Sequence, residues 1–161
     1  MIVLILDQLG CYASVAAASY LAGLIDLEAS PQDIYNLPGF AAHRDMQVGR
    51  IYYIGEDGAG NAYYSIGTGN EEEVLLRSIE DVAALLANRE HVLAIGVSAY
   101  NTLGLRLLAN LMRFSPLRSV VGMLAARLVK RSFLHVADYA QTQVYARLRR
   151  KPDIQDCLDA P

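Results

Sequence analysis

Residues 2–23, with the sequence IVLILDQLGCYASVAAASYLAG, decide the fold of this chain. The five apolar residues Ile2–Leu6 are typical of a strand that is covered on both faces. A polar turn follows, and the alanine-rich run from Ser14 to Gly23 predicts a helix. A helix that begins where a buried strand ends directs its first backbone N–H groups and the positive end of its dipole to one point. The stretch therefore predicts an anion site at this strand–turn–helix unit.

Further strands and helices alternate along the rest of the chain. Two tyrosine-rich runs, Arg50–Ile54 and Ala62–Ile66, flank a glycine-rich loop and predict a β-hairpin. Buried strands are predicted over Val92–Val97 and Phe133–Ala137. Helices are predicted from Pro31 with Ser30 as N-cap, over Glu71–Asn88, from Asn101 or Thr102 to Phe114, over Leu117–Arg131, and over Tyr139–Arg150 with Asp138 as cap.

This order predicts an α/β domain, because strands that alternate with helices form a mainly parallel sheet with helices on both faces. We expect a small three-layer sandwich, P-loop-like or Rossmann-like, with Ile2–Leu6, Val92–Val97 and Phe133–Ala137 at the centre of the sheet. The hairpin is expected as an addition or as an antiparallel edge. A length of 161 residues suits one domain, assigned here to 1–151, with a frayed acidic tail over 152–161.

The charge of the chain is distributed unevenly, although the net charge is only −3. Residues 1–100 carry 4 basic and 13 acidic side chains, whereas residues 101–151 carry 10 basic side chains and one acidic one. The two halves could attract each other within the fold or between subunits, or the basic half could bind phosphate or anionic lipid. The pI near 5.5 and the scarcity of aromatic residues among the bases argue against nucleic acid.

The sequence contains no targeting or metal-binding pattern that would assign a compartment or a cofactor. Its two cysteines, Cys11 and Cys157, form neither a disulfide framework nor a metal motif. The N-terminal apolar run is too short for a signal peptide, and no uncharged apolar stretch has the length of a membrane span. We therefore expect a cytoplasmic protein, and the sequence names no cofactor.

Polar residues follow each predicted parallel strand, where ligands bind in open sheets of this kind. The first strand is followed by Asp7 and then by the turn that contains Gly10, Cys11, Tyr12 and Ser14. The second is followed by Ser98 and Asn101, and Arg106 could pair with an anionic ligand. The predicted ligand carries a phosphate or another anionic group. Its predicted contacts are seven residues: Gly10, Cys11, Tyr12, Ser14, Ser98, Asn101 and Arg106.

The turn does not match the known phosphate-binding patterns, so the sequence leaves open whether a reaction takes place. It lacks the lysine of a P-loop, the glycine spacing of a dinucleotide fold, and the arginine of a cysteine phosphatase, whose position is occupied by Ala17. Cys11 is either a nucleophile activated by the helix N-terminus or a small inert core residue. Asp7 is either a base or magnesium-directed carboxylate, or a cap for the turn. Cys11 and Asp7 are thus the catalytic candidates.

A different class of function is assembly without catalysis. The acidic and basic halves would then pair between subunits, and the hairpin tyrosines Tyr52, Tyr53, Tyr63 and Tyr64 would lie at the interface. The amphipathic stretch Leu117–Arg131 could also contact a membrane surface, although a solvated outer face on a core helix explains the same pattern and is the interpretation favoured here.

The hairpin pattern Gly55-x-Asp57-x-x-Gly60-Asn61-x-x-Tyr64-x-x-Gly67 resembles a recurring motif of a family of small bacterial proteins, the domain of unknown function 3189 family. The run from Ser14 to Gly23 resembles its first helix, and Leu37-Pro38-Gly39-Phe40 resembles its Leu-Pro-aromatic segment. The resemblance covers about residues 1–90 and implies no established activity. The first turn departs from the family pattern, which has two glycines, a histidine and two serines where this chain has Gly10, Tyr12, Ala13 and Ser14. If that turn is catalytic in the relatives, the departure implies that this member has changed or lost the activity.

Overall fold

The computed structural model describes residues 1–41, 48–85, 91–111 and 118–149, and in these ranges strands and helices alternate. The elements, in chain order, are β1 (Ile2–Asp7), α1 (Ala13–Leu21), α2 (Pro31–Tyr35), β2 (Ile51–Glu56), β3 (Ala62–Gly67), α3 (Glu72–Leu85), β4 (Val92–Gly96), a short 3-10 turn (Ser98–Tyr100), α4 (Leu103–Leu111) and α5 (Arg118–Arg149).

The described strands form one mostly parallel sheet with the order β2-β3-β1-β4. β1 lies at its centre, parallel to both neighbours, and Leu4 stands opposite Tyr64 of β3 and Ala94 of β4. β2 is the antiparallel edge, and its pairing with β3 shifts register between Tyr53 and Gly55. The hairpin therefore supplies both the edge strand and a parallel neighbour of β1.

Helices cover both faces of this sheet, because successive side chains of β1 point in opposite directions. Val3 and Ile5 are fully buried in a large core with α1 and α5. Leu4 and Leu6 point to the other face, where α3 covers them. The chain is thus a mixed α/β protein whose β1 is buried on both sides, as its unbroken apolar sequence predicts.

The strand predicted over Phe133–Ala137 is wrong, because these residues belong to the single long helix α5. The buried positions of α5 recur every three or four residues through this segment and place one continuous apolar stripe against α1, α2 and α4: Val121, Ala125, Val129, Phe133, Val136, Ala140 and Val144. The predicted helices Leu117–Arg131 and Tyr139–Arg150 are therefore not separated, and their described residues from 118 to 149 belong to α5. Asp138 caps nothing, and it lies exposed within α5 beside Tyr139.

Several local predictions are confirmed. Ser30 caps α2 with Pro31 in the first turn, and Asp33 completes a capping box. α3 begins at Glu72, close to the predicted start, with acidic residues in its first turn. The predicted helix ends at Asn88, Phe114 and Arg150, and the tail over 152–161, lie outside the described residues.

Candidate functional site

The carboxyl ends of β1 and β3 form the point of the sheet where ligands are expected in this class of fold. The two strands are parallel neighbours, but the chain leaves them toward opposite faces. α1, which follows β1, packs on one face, and α3, which follows β3, packs on the other. In open α/β sheets a crevice forms where successive connections diverge in this way.

The turn after β1 is organised around the carboxylate of Asp7, which is fully buried. Its Oδ1 accepts hydrogen bonds from the backbone N–H of Leu9, at 2.8 Å, and of Gly10. Its Oδ2 accepts one from the N–H of Ser14 at 2.9 Å, in the first turn of α1. The negative charge that this helix N-terminus attracts is thus supplied by the chain itself, as in the capping alternative for Asp7.

The loops after β1 and β3 are in close backbone contact. Thr68 and Gly69 donate their N–H groups to the carbonyl oxygens of Asp7 and Gln8, at 2.8 and 3.0 Å. Gly10 has a φ of +69°, and a Cβ on it would stand 2.5 Å from the nitrogen of Gly67. This approach therefore requires glycine at position 10, both for its conformation and for its lack of a side chain.

Ser14 lies inside this packed turn, where it is fully buried. Ser65, on β3, has its hydroxyl 2.7 Å from the hydroxyl of Ser14 and 2.9 Å from the carbonyl oxygen of Gly10. The predicted contact Ser14 therefore ties α1 to β3. The sequence gives no signal for this role of Ser65, because it lies 51 residues from Ser14 along the chain.

Cys11 and Tyr12 are also fully buried. Burial, and secondarily the charge of Asp7, raise the pKa of the Cys11 thiol well above its ordinary value of 9.0. Burial likewise raises the pKa of Tyr12, whose ring packs edge-to-face on Phe40 with ring centres 5.5 Å apart. Because the reactive form of cysteine is the thiolate, this environment opposes a nucleophilic role for Cys11.

The carboxyl end of β4 is held by α3. Ser98 directs both its backbone N–H, at 3.0 Å, and its hydroxyl to Oε2 of Glu72. The Glu72 carboxyl group reaches this position because residue 96 is glycine, where a Cβ would stand 2.7 Å from Oε1 of Glu72. Nothing in the sequence relates positions 72 and 98, so sequence reasoning does not find this role of Glu72.

Asn101 differs from the other predicted site residues because its polar groups are unused. Its side chain is 6% exposed, and neither amide atom has a hydrogen-bond partner in the part of the chain that the structure describes. The Oε1 atom of Gln8, after the neighbouring strand, is also buried and has no partner among the described residues, while Nε2 of Gln8 donates to Asn70 at 2.6 Å. Arg106 is exposed in the first turns of α4, close to Asn101 in the chain.

The structure thus brings the predicted residues to one edge of the sheet but gives them two kinds of role. Gly10, Cys11, Tyr12 and Ser14 are buried within the Asp7 turn, and Ser98 is engaged by Glu72. Among the predicted contacts, Asn101 has amide atoms without partners in the described residues, and Arg106 has an exposed charge on α4. Among the described helices, none combines the length and the apolar character that crossing a membrane requires.

Comparison with known proteins identifies the chain at the level of its family. No curated protein and no solved structure matches it. A family described as a protein of unknown function, DUF3189, matches residues 2–143. The match extends beyond the first 90 residues into the basic half, where the resemblance had been expected to fade. Because the match covers most of the sequence, the chain belongs to the DUF3189 family.

Proposed function

We propose that this protein binds a small molecule with a phosphate or another anionic group at the carboxyl edge of its sheet. The observation that carries the proposal is the amide of Asn101, which is buried at the end of β4 with neither atom hydrogen-bonded in the described chain. A buried amide without partners costs roughly 1–3 kcal/mol of stability. A bound ligand that hydrogen-bonds both amide atoms would remove that cost.

Each residue of the site has a distinct part in this proposal. Asn101 supplies one donor and one acceptor to the ligand, and the unpartnered oxygen of Gln8 supplies a second acceptor. Arg106 supplies the positive charge for the anionic group. The Asp7 carboxylate already accepts hydrogen bonds from N–H groups of the turn. The anion would therefore lie between α4 and the turn formed by residues 10–14.

Thermal shift measurements with nucleotides and phosphorylated metabolites test this proposal. A ligand at about 100 times its dissociation constant adds about 2.7 kcal/mol to the free energy of unfolding. Asn101→Leu separates binding from folding, because replacing an unpartnered buried amide by an apolar side chain of similar size leaves the ligand-free protein at least as stable. We expect this variant to keep its melting temperature and to lose the ligand-induced shift.

Arg106→Gln is expected to weaken binding, and Arg149→Gln is its matched control. Both arginines are exposed on helices, but Arg149 lies at the far end of α5. Equal weakening by the two substitutions would assign the effect to general charge and would contradict a specific role for Arg106. The absence of any shift across the panel, or a shift that Asn101→Leu leaves unchanged, would contradict the proposed site.

Self-association is a second candidate function, and the exposed leucines of α4 favour it. Leu103, Leu107 and Leu111 follow one another at intervals of four residues and are 76%, 66% and 45% exposed. The neighbouring exposed charges on α4 and α5, Arg106, Arg127 and Arg131, are basic. An apolar stripe of this kind with a charged rim is typical of an interaction surface.

The exposed face of α3 offers a complementary surface on the same molecule. It exposes the apolar residues Val74, Val82 and Leu85 among the acidic residues Glu73, Glu80 and Asp81. Contact between the basic face of one copy, formed by α4 and α5, and the acidic face of α3 in another would be head-to-tail, which generates rings or filaments.

The expected hairpin interface is partly wrong, because Tyr63 is buried, whereas Tyr53 is exposed.

Sedimentation velocity across salt and protein concentrations tests this second candidate. We expect association that weakens with salt, that Leu107→Glu abolishes, and that Leu85→Glu weakens from the other face. A monomer under every condition would contradict it. The protein could instead stay monomeric and co-sediment with anionic vesicles until Leu107→Glu abolishes this binding. That result would favour membrane contact by the basic face, which is the less favoured interpretation of residues 117–131.

A further inference from the structure

A cavity of about 690 Å³ lies at the amino edge of the parallel strands, opposite the edge that carries Asp7. It is open to solvent on one side and bordered by the end of α1, the hairpin loop before β3 and the last turns of α5. Its walls include the apolar side chains Leu21, Ile25 and Val144 and the rings of Tyr20, Tyr63 and Tyr145. The volume is within the range of small-molecule sites, and polar groups share the lining with these apolar and aromatic side chains.

The charges that face this cavity are of one sign. Asp26 and Asp57 contribute carboxylates, and none of the described residues that line it is basic. Asp26 is exposed, and its Oδ1 accepts the N–H of Glu28. Asp57 accepts four hydrogen bonds, from the N–H groups of residues 59 and 61, the amide of Asn61 and the hydroxyl of Tyr63.

These hydrogen bonds hold Asp57 ionised. Partial burial alone would raise the pKa of this carboxyl, but the bonds from Asn61, Tyr63 and Ala59 outweigh it and leave the pKa below its ordinary value. Asp57 therefore contributes a negative charge to the cavity at neutral pH. Because its oxygens already accept four hydrogen bonds, it is a poor acceptor for a neutral ligand.

The tyrosine wall of the cavity is fixed in place before any ligand arrives. The hydroxyl of Tyr20 donates to Oε1 of Gln141 at 3.0 Å, and Nε2 of Gln141 donates to the hydroxyl of Tyr145 at 3.3 Å. The ring of Tyr20 also packs edge-to-face on Phe133, with ring centres 6.1 Å apart. A wall of this kind loses little conformational entropy when a ligand binds.

We propose that this cavity binds an amphipathic organic cation, in which an ammonium group is attached to an apolar or aromatic body. The ammonium group would lie between the two carboxylates and the tyrosine rings, whose faces attract cations. The apolar body would cover the leucine, isoleucine and valine side chains of the wall. This site is separate from the one at Asn101, and it takes a ligand of the opposite charge.

Three probes that share one aromatic frame test the charge preference directly: phenethylammonium, 2-phenylethanol and phenylacetate. Saturation-transfer NMR on the full chain gives the relative dissociation constants. We expect phenethylammonium to bind most tightly, the neutral alcohol more weakly and the anion weakest. Equal binding of the three, or tightest binding of phenylacetate, would overturn the proposal, as would no binding by any of them.

Matched substitutions locate the binding. Asp26→Asn keeps the acceptor for Glu28 but removes the charge, and we expect it to raise the dissociation constant of phenethylammonium about two- to fivefold. Asp81→Asn, on the exposed face of α3, should change nothing. Tyr145→Leu should weaken binding, and Tyr53→Leu, which alters a similarly exposed tyrosine on β2, should not. If the control variants weaken binding as much as the cavity variants do, the cation binds elsewhere and the proposal fails.

Discussion

Two loops of this molecule are each organised around one aspartate, and they differ in where the carboxylate lies. Asp7 is fully buried at the carboxyl edge of the sheet and accepts N–H groups from Leu9, Gly10 and Ser14. Asp57 is half-buried at the amino edge and accepts two loop N–H groups, one amide and one hydroxyl. The same local chemistry thus shapes both ends of the central strands.

Burial decides what a loop carboxylate can do in each of these two loops. At the Asp7 turn, the carboxylate accepts the N–H groups that a bound anion would need, which is why the proposed function assigns the ligand contacts to Asn101 and Arg106. At the Asp57 loop, the charge borders a cavity and can act on whatever enters it. One carboxylate belongs to the core, and the other belongs to a surface.

Removing the buried carboxylate gives the largest expected effect on stability. Asp7→Ala leaves two buried N–H groups and one partly buried one without their acceptor, and we expect it to lower the free energy of unfolding by more than about 3 kcal/mol. Asp7→Asn keeps one acceptor oxygen and should cost less. Urea denaturation measures both. A loss of under 1 kcal/mol for Asp7→Ala, on the order of a single weak hydrogen bond, would contradict the central role of this carboxylate.

Gly10→Ala tests the close approach of the two loops at the same edge. The new Cβ would stand 2.5 Å from the nitrogen of Gly67, at a φ of +69°. Steric overlap and the left-handed conformation together should lower the free energy of unfolding by about 2–3 kcal/mol.

Gly58→Ala is the matched control in the Asp57 loop, because nothing lies within 4 Å of its Cβ position. It should be neutral or slightly stabilising, since alanine restricts the unfolded chain. If both alanine variants lower the melting temperature equally, the loss at position 10 reflects general loop flexibility and not the contact with Gly67.

The sequence predicts those parts of the fold that depend on neighbouring residues. The apolar run of β1, the Ser30 N-cap and the glycine loop of the hairpin are each specified within a few positions, and the structure confirms them. It does not predict that β3 lies beside β1, because that pairing joins residues 60 apart, such as Ile2 and Ala62. A hairpin looks the same in sequence whether it lies at an edge or enters the sheet.

The error over Phe133–Ala137 has a different cause. Phe133 and Val136 favour strands locally, but the buried spacing of α5 continues unbroken from Val121 to Val144. Tertiary packing along that stripe overrides the local preference. At the site, the sequence places Asp7 at the right edge but cannot tell whether its side chain turns inward, because that depends on how closely the β3 loop approaches.

Asp57→Ala should lower the free energy of unfolding less than Asp7→Ala does, by about 1–2 kcal/mol, because water can reach the loop and replace part of the lost hydrogen bonding.

The lowered pKa of Asp57 also predicts how this variant responds to acid. A carboxyl whose pKa is depressed by folding stabilises the protein above its unfolded value of 3.8, and this stabilisation disappears as the pH falls through the folded value. The variant should therefore lose stability less steeply than the parent in acid. Parallel acid-unfolding curves would contradict this prediction.

The Asp7 turn should be sensitive at the opposite end of the pH scale, and this is the smallest effect predicted. Burial and the charge of Asp7 raise the pKa of Cys11 in the folded state, so the folded protein keeps a proton that the unfolded chain releases above pH 9.0. Stability is then full below that pH and decreases as the pH rises, by about 0.8 kcal/mol at pH 9.5. At this pH the buried tyrosines Tyr12 and Tyr63 together add about 0.3 kcal/mol, because unfolded tyrosine, with a pKa of 10.0, is already partly ionised. Cys11→Ala should flatten the dependence of unfolding free energy on pH between 8 and 9.5, whereas the control Cys157→Ser should leave it unchanged. If Cys157→Ser removed this pH dependence of the unfolding free energy and Cys11→Ala did not, the loss of stability in alkali would not arise in the Asp7 turn. The contrast between the buried Asp7 loop and the accessible Asp57 loop would then have no support at high pH.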